Sequence, residues 1–482
     1  MHLDLWNSIE LCAAVQGHSN NNKNWIANSV SIDSRNIKTG DVFFAIKGVK
    51  NDGHNYINKA FENGATACVV EKSFKEIDQN RNLVFVEDTL KALQSLGSKR
   101  RALSNLTLIA ITGSVGKTTT KDFLSSILSK KFNCYSNDGN LNNKFGVPLS
   151  LSRIPQNTEI AVQEMGMSFP EEIKFLSNLA KPDIGIITSI GGSHLQNFKN
   201  VDEIAYAKSE IFSGMNKDGV IILPSDSVYL DILKSEAKNY GLSNILLFGK
   251  ADKADCQILS TKVNYNTISI SIIFMGKKFD YKIYSHQLHN ANNTAAAILG
   301  AIVAGFKIDE ISGDFPEFIS SKGRGEIYYL NHPSGSKVTI IDDSYNASFD
   351  STESALRSIR NLSLSPPVLV LGDMLELGKY SSHEHQKLIP IIESIKPRLI
   401  VAIGNQMSAI SKYLTSNIET FCFKDSITAK NIVPELIKNN DLILIKGSNG
   451  MKLDLIIDSI NRHFETLRNQ DYLPKMDKNY VI

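Results

Sequence analysis

The chain has 482 residues, of which 42% are hydrophobic and 21% are charged, and its formal net charge is +2. This composition excludes an intrinsically disordered chain, and the length suggests about three domains. A charge so close to neutrality gives no reason to expect nucleic acid or an anionic membrane as a partner.

The cysteines and the N-terminus bear on the cellular compartment. Five cysteines are scattered without the spacing of a disulfide framework or a metal site. The first residues lack a basic stretch followed by an apolar core, so we expect no signal peptide. No apolar run of the sequence approaches the ~18 residues needed to span a bilayer. These features predict a reducing, cytoplasmic environment.

The first hundred residues predict a small α/β unit with short strands at residues 42–46, 67–70 and 83–86. Its chemically interesting cluster is Asp33-Ser34-Arg35. This cluster has enough polar groups to hold a sugar or a phosphate. Taken alone, however, the cluster is more typical of a capped turn with a surface arginine. A helix over residues 88–105 then connects to the next domain.

A phosphate-binding loop is predicted where an apolar run, residues 106–111, is followed by a helix-prone segment, residues 121–130. Between them lies Gly113-Ser114-Val115-Gly116-Lys117-Thr118-Thr119. Glycines let backbone N–H groups approach an anion, and a helix N-terminus adds positive potential. We expect Lys117 to reach the β- and γ-phosphates of ATP and Thr118 to ligate Mg²⁺. The alternative is a Gly-Lys turn without a ligand.

The rest of the chain alternates apolar runs with helical stretches, which predicts parallel sheets covered by helices. Residues 267–283 differ, because their Thr-Ile-Ser-Ile alternation predicts a hairpin. Glycine and proline residues such as Gly313 and Pro316 mark a boundary within residues 308–326. Buried parallel strands are predicted on both sides of that boundary, at residues 109–112, 160–162, 184–188, 220–223, 338–341, 368–371, 399–403 and 442–445.

Polar side chains follow several of these strands, at the sheet edge where ligands bind in open α/β folds. Glu164 and His194 are expected near Gly113 and could serve a metal ion, although each alone is more typical of a hydrogen-bonded surface residue. Lys208 lies in an amphipathic stretch, residues 202–212. Taken alone, this position favours the interpretation of Lys208 as a solvent-exposed lysine on a helix. The alternative is a buried lysine of depressed pKa that takes up CO₂ as a carbamate.

Other candidates lie at the predicted joint between the second and third domains and beyond it. Asn290 opens an alanine-rich helix, where an asparagine either caps the helix or contacts adenine. Arg324 and the Asp342-Asp343 pair could bind phosphate or ribose. Two further glycine turns, at residues 372–378 and 446–450, are equally typical of βα turns and of a second pocket.

The ordered series of motifs resembles the Mur ligase family over nearly the whole chain. Two departures from the family pattern lie in the third domain: Ser348-Phe349 replaces the usual Asn-Pro, and Asn449 replaces an arginine. The motifs that carry the resemblance are Asp33-Ser34-Arg35, Asp52-Gly53-His54, the loop before Lys117, Gly139-Asn140-Leu141-Asn142-Asn143, Glu164-Met165-Gly166, His194-Leu195, Ala207-Lys208-Ser209-Glu210, His289-Asn290, Asp342-Asp343-Ser344-Tyr345-Asn346-Ala347, Gly372-Asp373-Met374-Leu375-Glu376-Leu377-Gly378 and Lys446-Gly447-Ser448.

The resemblance implies an ATP-dependent acid–amino-acid ligase that makes a peptidoglycan precursor for the cell wall. The γ-phosphoryl group of ATP would pass to the terminal carboxylate of a UDP-N-acetylmuramoyl-tripeptide. The amine of D-alanyl-D-alanine would then attack the acyl phosphate. ATP and Mg²⁺ at two sites are the implied cofactors. The resemblance further implies a cytoplasmic monomer that binds neither nucleic acid nor membrane.

The resemblance also assigns site residues and domains. Lys117, Glu164, His194 and a carbamylated Lys208 would be catalytic, and the last three together with Thr118 would hold metal. Asn290, Arg324 and Asp343 would contact the nucleotide along with the loop of residues 113–119. Ser34, Arg35, Asn142, Asn143, Tyr345 and Asn346 would contact substrate. The implied α/β architecture has three domains: a UDP-substrate domain (1–100), a central P-loop ATPase-like sheet domain (101–314) and a Rossmann-like domain for the incoming dipeptide (315–482).

Two other functions are compatible with parts of the pattern. A folylpolyglutamate synthase-like ligase shares the central domain, but it begins with that domain and lacks a counterpart of Asp33-Ser34-Arg35. A nucleotide-dependent regulatory protein that has lost ligation is disfavoured because Lys117, Glu164, His194 and Lys208 are all present.

Overall fold

A computed structural model of the chain provides the strands and helices. It describes residues 5–471 except residues 22, 49–50, 76–79, 265–266, 312–314, 316–321, 332–336, 363–364 and 416. The predicted boundary residues Gly313 and Pro316 therefore lie outside the described residues.

The strands in the described part of the chain are short, and most are predominantly apolar. They are β1 (Trp6–Asn7), β2 (His18–Ser19), β3 (Ile26–Ala27), β4 (Ser29–Ser31), β5 (Asp41–Phe44), β6 (Ala67–Glu71), β7 (Leu83–Val86), β8 (Thr107–Thr112), β9 (Cys134–Ser136), β10 (Ile160–Glu164), β11 (Ile184–Ile187), β12 (Val220–Pro224), β13 (Asn244–Gly249), β14 (Cys256–Asn264), β15 (Thr267–Phe274), β16 (Lys277–Ile283), β17 (Glu326–Asn331), β18 (Lys337–Asp343), β19 (Val368–Gly372), β20 (Leu399–Ile403), β21 (Glu419–Phe423) and β22 (Leu442–Lys446).

Helices separate most of the parallel strands. They are α1 (Ser8–Val15), α2 (Ile57–Glu62), α3 (Thr89–Leu103), α4 (Lys117–Leu128), α5 (Gly146–Ser152), α6 (Glu172–Ala180), α7 (Val201–Ser209), α8 (Leu230–Asn239), α9 (Asn290–Val303), α10 (Ile308–Ile311), α11 (Phe349–Leu362), α12 (Ser381–Gln386), α13 (Ile389–Ile395), α14 (Asn405–Ser411), α15 (Ser426–Ala429), α16 (Val433–Leu436) and α17 (Asp454–Asp471), with 3₁₀ turns at Ser34–Asn36, Gly53–Tyr56, Leu195–Asn197, Glu210–Gly214, Gly378–Tyr380 and Asn449–Met451.

Two compact units can be distinguished by their internal contacts. The first comprises Met1–Ile190, Asp202–Gln257 and Asn292–Ile311, and the second comprises Gly191–Val201, Ile258–Ala291 and Ser312–Ile482.

The N-terminal sheet of the first unit has the strand order β2-β7-β6-β5-β4, and the pairs among the last four strands are parallel. Both of its faces are covered. Phe43 and Phe44 are adjacent in β5, yet they belong to two different buried clusters because successive side chains of a strand point to opposite faces.

The central sheet of the first unit has the parallel order β9-β10-β8-β11-β12-β13. Its β8 strand is apolar and buried because helices cover both faces of such a sheet. The chain passes from β8 to β9 and β10 on one side and then to β11 and β12 on the other. The carboxyl end of β8 therefore lies at the point where strand order reverses, which is where ligands bind in open α/β sheets.

The second unit contains a sheet of order β17-β18-β22-β19-β20-β21, parallel except for β17. Its core combines inward-facing strand residues such as Val370 and Ile445 with the apolar face of α17, including Ile456 and Ile460. The predicted hairpin at residues 267–283 is confirmed, since β15 and β16 pair antiparallel.

The α/β class and the parallel sheets are confirmed, with small differences at element ends. The helix after the glycine loop begins at Lys117, four residues before the predicted start at residue 121. Among the described residues, no helix combines the length and apolar character needed to cross a bilayer.

Candidate active site

A glycine loop joins β8 to α4 at the carboxyl edge of the central sheet. Gly113 and Gly116 have φ angles of 153° and 89°. A Cβ on Gly113 would lie 1.9 Å from Thr188 Oγ1, and one on Gly116 would lie 2.2 Å from Asn293 Oδ1. Only glycine fits at both positions, and the loop lies at a helix N-terminus, where the helix dipole favours an anion.

Residues that follow β11 fix the shape of this loop. Thr188 Oγ1 donates a 2.5 Å hydrogen bond to Val115 O. Ser189 Oγ accepts one of 2.9 Å from Val115 N, and Ser189 O accepts one of 2.9 Å from Ser114 N. These hydrogen bonds to main-chain groups of Ser114 and Val115 hold the loop in one conformation.

The Glu164 carboxylate at the end of β10 is the centre of the polar cluster beside the loop. It is 1% exposed, so the surface interpretation of this residue is wrong. Its Oε2 accepts a 2.8 Å hydrogen bond from Thr118 Oγ1, and its Oε1 accepts one of 2.7 Å from Asn142 Nδ2. The predicted partners Thr118 and Glu164 are therefore in direct contact.

Lys208 on α7 is buried with 2% of its surface exposed. Burial, and then the positive charge of Lys117, lower the pKa of Lys208 well below its ordinary value. The interpretation of Lys208 as a solvated lysine is therefore wrong. The Lys117 ammonium donates a 2.7 Å hydrogen bond to Gly113 O.

Lys121 and Asn137 also support the cluster and have no counterpart among the sequence-predicted residues. Lys121 is 3% exposed, and its Nζ donates to Asn137 O at 2.7 Å. Asn137 Oδ1 in turn accepts a 2.8 Å hydrogen bond from Glu164 N. Only the position of Lys121 one helical turn after Lys117 could have indicated this role.

In the second unit, His194 meets a carboxylate. His194 Nδ1 lies 2.5 Å from Glu376 Oε2, and this contact lowers the pKa of Glu376. Both residues have left-handed backbones, with φ of 61° and 63°. Glu376 belongs to the predicted glycine turn at residues 372–378. This turn therefore brings a carboxylate into contact with His194, a candidate metal ligand.

That turn is supported by buried groups. His385 Nε2 accepts a 2.9 Å hydrogen bond from Met374 N, and Ser448 Oγ accepts one of 2.9 Å from Leu375 N. The two predicted glycine turns, at residues 372–378 and 446–450, are therefore in contact.

Asp343 and Lys446 form a buried ion pair with an Oδ2–Nζ distance of 2.8 Å. The Lys446 ammonium also donates a 3.0 Å hydrogen bond to Asn346 O. Burial lowers the pKa of the neighbouring His286 to about 4 and that of His289 to about 4, although the Asp343 charge opposes both shifts. Neutral imidazoles thus lie beside this ion pair.

The remaining nucleotide candidates have distinct environments in the second unit. Asn290 is buried, and its Nδ2 donates a 2.8 Å hydrogen bond to Ser285 Oγ. The Arg324 guanidinium lies 4.0 Å from the centre of the Tyr345 ring. This cation–π contact orients the arginine.

The N-terminal candidates form a capped turn. The Arg35 side chain is 84% exposed and pairs with Asp33 at 2.7 Å. Ser34 is buried, and its carbonyl accepts a 2.7 Å hydrogen bond from Asn63 Nδ2.

Asn143, a substrate candidate of the central domain, caps a helix. Its Oδ1 accepts hydrogen bonds from two backbone N–H groups at the start of α5.

The departures from the family pattern at Ser348 and Phe349 have local partners. Ser348 O accepts a 2.9 Å hydrogen bond from Thr352 N in the first turn of α11. The Lys387 ammonium lies 3.9 Å from the centre of the Phe349 ring. Phe349 thus begins the helix and packs against a cation.

The P-loop cluster fits a magnesium ion. Mg²⁺ in nucleotide sites is typically bound by a hydroxyl and one or two carboxylates together with phosphate oxygens. Thr118 Oγ1 and Glu164 Oε2 supply such a hydroxyl and carboxylate 2.8 Å apart.

Comparison with known proteins identifies relatives along nearly the whole chain. Family models match residues 27–101 (Mur ligase family, catalytic domain), 111–301 (Mur ligase middle domain) and 323–449 (Mur ligase, glutamate ligase domain). UDP-N-acetylmuramoyl-tripeptide--D-alanyl-D-alanine ligase of Rickettsia prowazekii is 33% identical over 454 residues, covering 94% of this chain and 99% of the relative. The enzyme of the same name from Bacillus subtilis is 33% identical, covering 90% and 93%.

Solved structures give the same result. MurF from Acinetobacter baumannii aligns with a TM-score of 0.84 and 28% identity, covering 96% of this chain and all of that one. The resemblance noted from the sequence motifs is therefore confirmed.

Proposed function

Because the chain belongs to the Mur ligase family, we propose that it is the ATP-dependent ligase that joins D-alanyl-D-alanine to UDP-N-acetylmuramoyl-tripeptide. The product would be the pentapeptide precursor of peptidoglycan. Relatives that carry this activity in their name align over 90% or more of this chain.

One observation in the structure carries the catalytic part of the proposal. The hydroxyl of Thr118 and the carboxylate of Glu164 meet beside a preorganised glycine loop. A hydroxyl and a carboxylate beside such a loop can position a nucleoside triphosphate and its metal for phosphoryl transfer.

The reaction needs activation because a carboxylate has no good leaving group. Transfer of the γ-phosphoryl group to the tripeptide carboxylate gives an acyl phosphate. The dipeptide amine then attacks its carbonyl carbon, an amide bond forms, and phosphate leaves. Lys117 would neutralise charge on the transferring group. Magnesium, held by Thr118 and Glu164, would supply further neutralisation.

Lys208 and His194 would serve a second metal. The lowered pKa of Lys208 favours the neutral amine, and a neutral amine can add to CO₂ and release a proton. The resulting carbamate is anionic. Burial, by favouring the neutral amine, would thus allow carbamylation to turn a potential cation into an anionic metal ligand. The resemblance supports this role for Lys208 and the ligand role for His194.

The other roles follow the family pattern. Asn290, Arg324 and Asp343 would contact adenine, phosphate or ribose. Substrate would be contacted by Ser34, Arg35, Asn142, Asn143, Tyr345 and Asn346. The domains proposed are a UDP-substrate domain (1–100), an ATP-binding domain (101–314) and a domain that binds the dipeptide (315–482). The proposed enzyme is a cytoplasmic monomer that needs neither nucleic acid nor membrane.

A direct assay tests the proposal. Phosphate release and pentapeptide formation are measured with ATP, Mg²⁺ and UDP-N-acetylmuramoyl-tripeptide, with and without D-alanyl-D-alanine. We expect product only in the complete mixture, and Lys117→Met should abolish it. Lys91→Met, on the exposed face of α3, is the matched control and should retain activity.

The same assay separates the alternatives. Turnover with folate and glutamate instead would favour the folylpolyglutamate synthase-like function. Nucleotide binding without product in any mixture would favour a regulatory protein. Either result would overturn the proposal.

A further inference from the structure

The segment Gly191–Val201, which carries His194, is held against the residues around the 3₁₀ turn Gly378–Tyr380. Gln196 N donates a 3.0 Å hydrogen bond to Glu376 O. The Tyr380 hydroxyl donates to Lys199 O. These contacts dock the segment without using the Glu376 side chain, so the contact of that side chain with His194 is a separate feature.

The Glu376 carboxylate reaches the Nδ1 side of the His194 ring. The separation between Nδ1 and Oε2 is 2.5 Å, a close ion-pair contact rather than a well-angled hydrogen bond, and the buried Nδ1 atom has no hydrogen-bond partner among the described residues. Both backbones lie in the left-handed region that residues other than glycine rarely adopt. Such conformations persist when the surroundings impose them, and here they occur at the two residues whose side chains meet.

The chemistry of this contact determines which ring nitrogen is available. An ionised carboxylate can only accept hydrogen bonds. A neutral imidazole facing it must therefore carry its proton on Nδ1. The lone pair is then on Nε2, which is the nitrogen left to bind a cation. Histidines that bind metals commonly donate their other N–H to a carboxylate in this way.

We propose that Glu376 is a positioning residue that fixes His194 as the Nδ1–H tautomer and presents Nε2 to a divalent cation. The inference rests on the proposed function, because that function makes His194 a metal ligand. It goes further, because His194 lies in the range matched by the middle-domain model and Glu376 in the range matched by the C-terminal model. A residue of one family module would thus prepare a ligand of another.

Nitrogen-15 NMR of histidine-labelled full-length protein, without metal or nucleotide and at mildly alkaline pH, tests the tautomer. His194→Asn identifies the His194 signals among the ten histidines. We expect a protonated Nδ1 and an unprotonated Nε2 in the wild type. Glu376→Ala should shift the population toward protonated Nε2, whereas Glu376→Gln should retain the wild-type tautomer because its amide oxygen accepts the same proton.

Tyr380→Phe is the matched control. It removes the hydroxyl that binds Lys199 O on the same segment but leaves the Glu376 carboxylate in place. We expect its His194 signals to match the wild type. The Glu376 side chain is half exposed, so its truncation creates no buried cavity.

Manganese titration gives an independent readout of metal affinity. Glu376→Ala should weaken binding at the His194 site by roughly 10–100-fold, the usual effect of removing such a carboxylate partner. A wild-type His194 protonated on Nε2, or an unchanged tautomer in Glu376→Ala, would overturn the inference. Absence of pentapeptide product from the wild type would instead overturn the proposed function while leaving the tautomer result intact.

Discussion

Glu164 Oε2 accepts a 2.8 Å hydrogen bond from Thr118 Oγ1, while Asn142 Nδ2 donates to its other carboxylate oxygen. These two hydrogen bonds orient the carboxylate at the first turn of α4. Three strands converge on this point: β8 provides the loop, β10 ends in Glu164, and β11 precedes the residues that hold the loop. Side chains from separate segments are thus assembled by the strand order of one sheet.

Substituting Glu164 by Gln should reduce kcat/KM for ATP on the order of 100-fold. The amide keeps the shape of the side chain but loses the negative charge that would hold the cation, and about 3 kcal/mol of charge stabilisation corresponds to that factor. The measurement is the magnesium dependence of product formation. Glu62→Gln, exposed on α2, is the control. Equal magnesium dependence in wild type and Glu164→Gln would contradict the metal role.

Lys208→Met should abolish turnover while leaving the fold at least as stable at neutral pH. The pKa of Lys208 is lowered in the folded state, so protonation favours the unfolded state. The free energy of unfolding should therefore rise with pH as the ordinary lysine pKa is approached, and this rise should be smaller in the variant. Urea unfolding from pH 7 to 10 measures it. Near-normal activity of Lys208→Met would contradict the carbamate role.

Lys121→Met should both destabilise the protein and weaken nucleotide binding. The buried carbonyl of Asn137 would lose its 2.7 Å hydrogen bond, which costs about 1–3 kcal/mol. Asn137 also binds Glu164 N, so we expect the KM for magnesium–ATP to rise more than kcat falls. Lys91→Met controls for the loss of a lysine. An unchanged KM together with lowered stability would assign Lys121 a purely structural role.

The features that were predictable from the sequence are those formed by residues close together in the chain. An apolar strand, a glycine loop and a helix are contiguous at Gly113, and the β15–β16 hairpin follows from strict alternation. The pairing of Glu164 with the loop was expected because the carboxyl ends of parallel strands share one edge.

Long-range burial was not predictable in the same way. Lys208 and Lys121 lie on helices whose local pattern does not distinguish a buried lysine from a solvated one. Their environments are created by residues far away in the chain, such as Asn137 for Lys121. The Glu376–His194 contact joins residues 182 positions apart, and no periodicity of the sequence reports such a contact.

The buried histidine beside the Asp343–Lys446 ion pair predicts acid sensitivity. His286 is 2% exposed, and its pKa falls from 6.5 to about 4 in the folded state. Between these values the unfolded state binds a proton that the folded state does not, so stability decreases as pH falls. The slope approaches about 1.4 kcal/mol per pH unit, which gives a loss of about 3 kcal/mol by pH 4. Burial lowers the pKa of His289 to about 4 as well, so His289 adds a contribution of the same sign over the same pH range.

His286→Gln should therefore reduce the slope of unfolding free energy against pH between 6.5 and 4, because glutamine does not titrate there while His289 still does. Urea unfolding at pH 7, 6 and 5 measures the slope for each protein. His383→Gln is the matched control, since the side chain of His383 is 73% exposed and its replacement should leave the slope of the wild type unchanged. An identical slope in wild type and His286→Gln would mean that the acid sensitivity arises from other groups, because a neutral buried imidazole must take up its proton on unfolding.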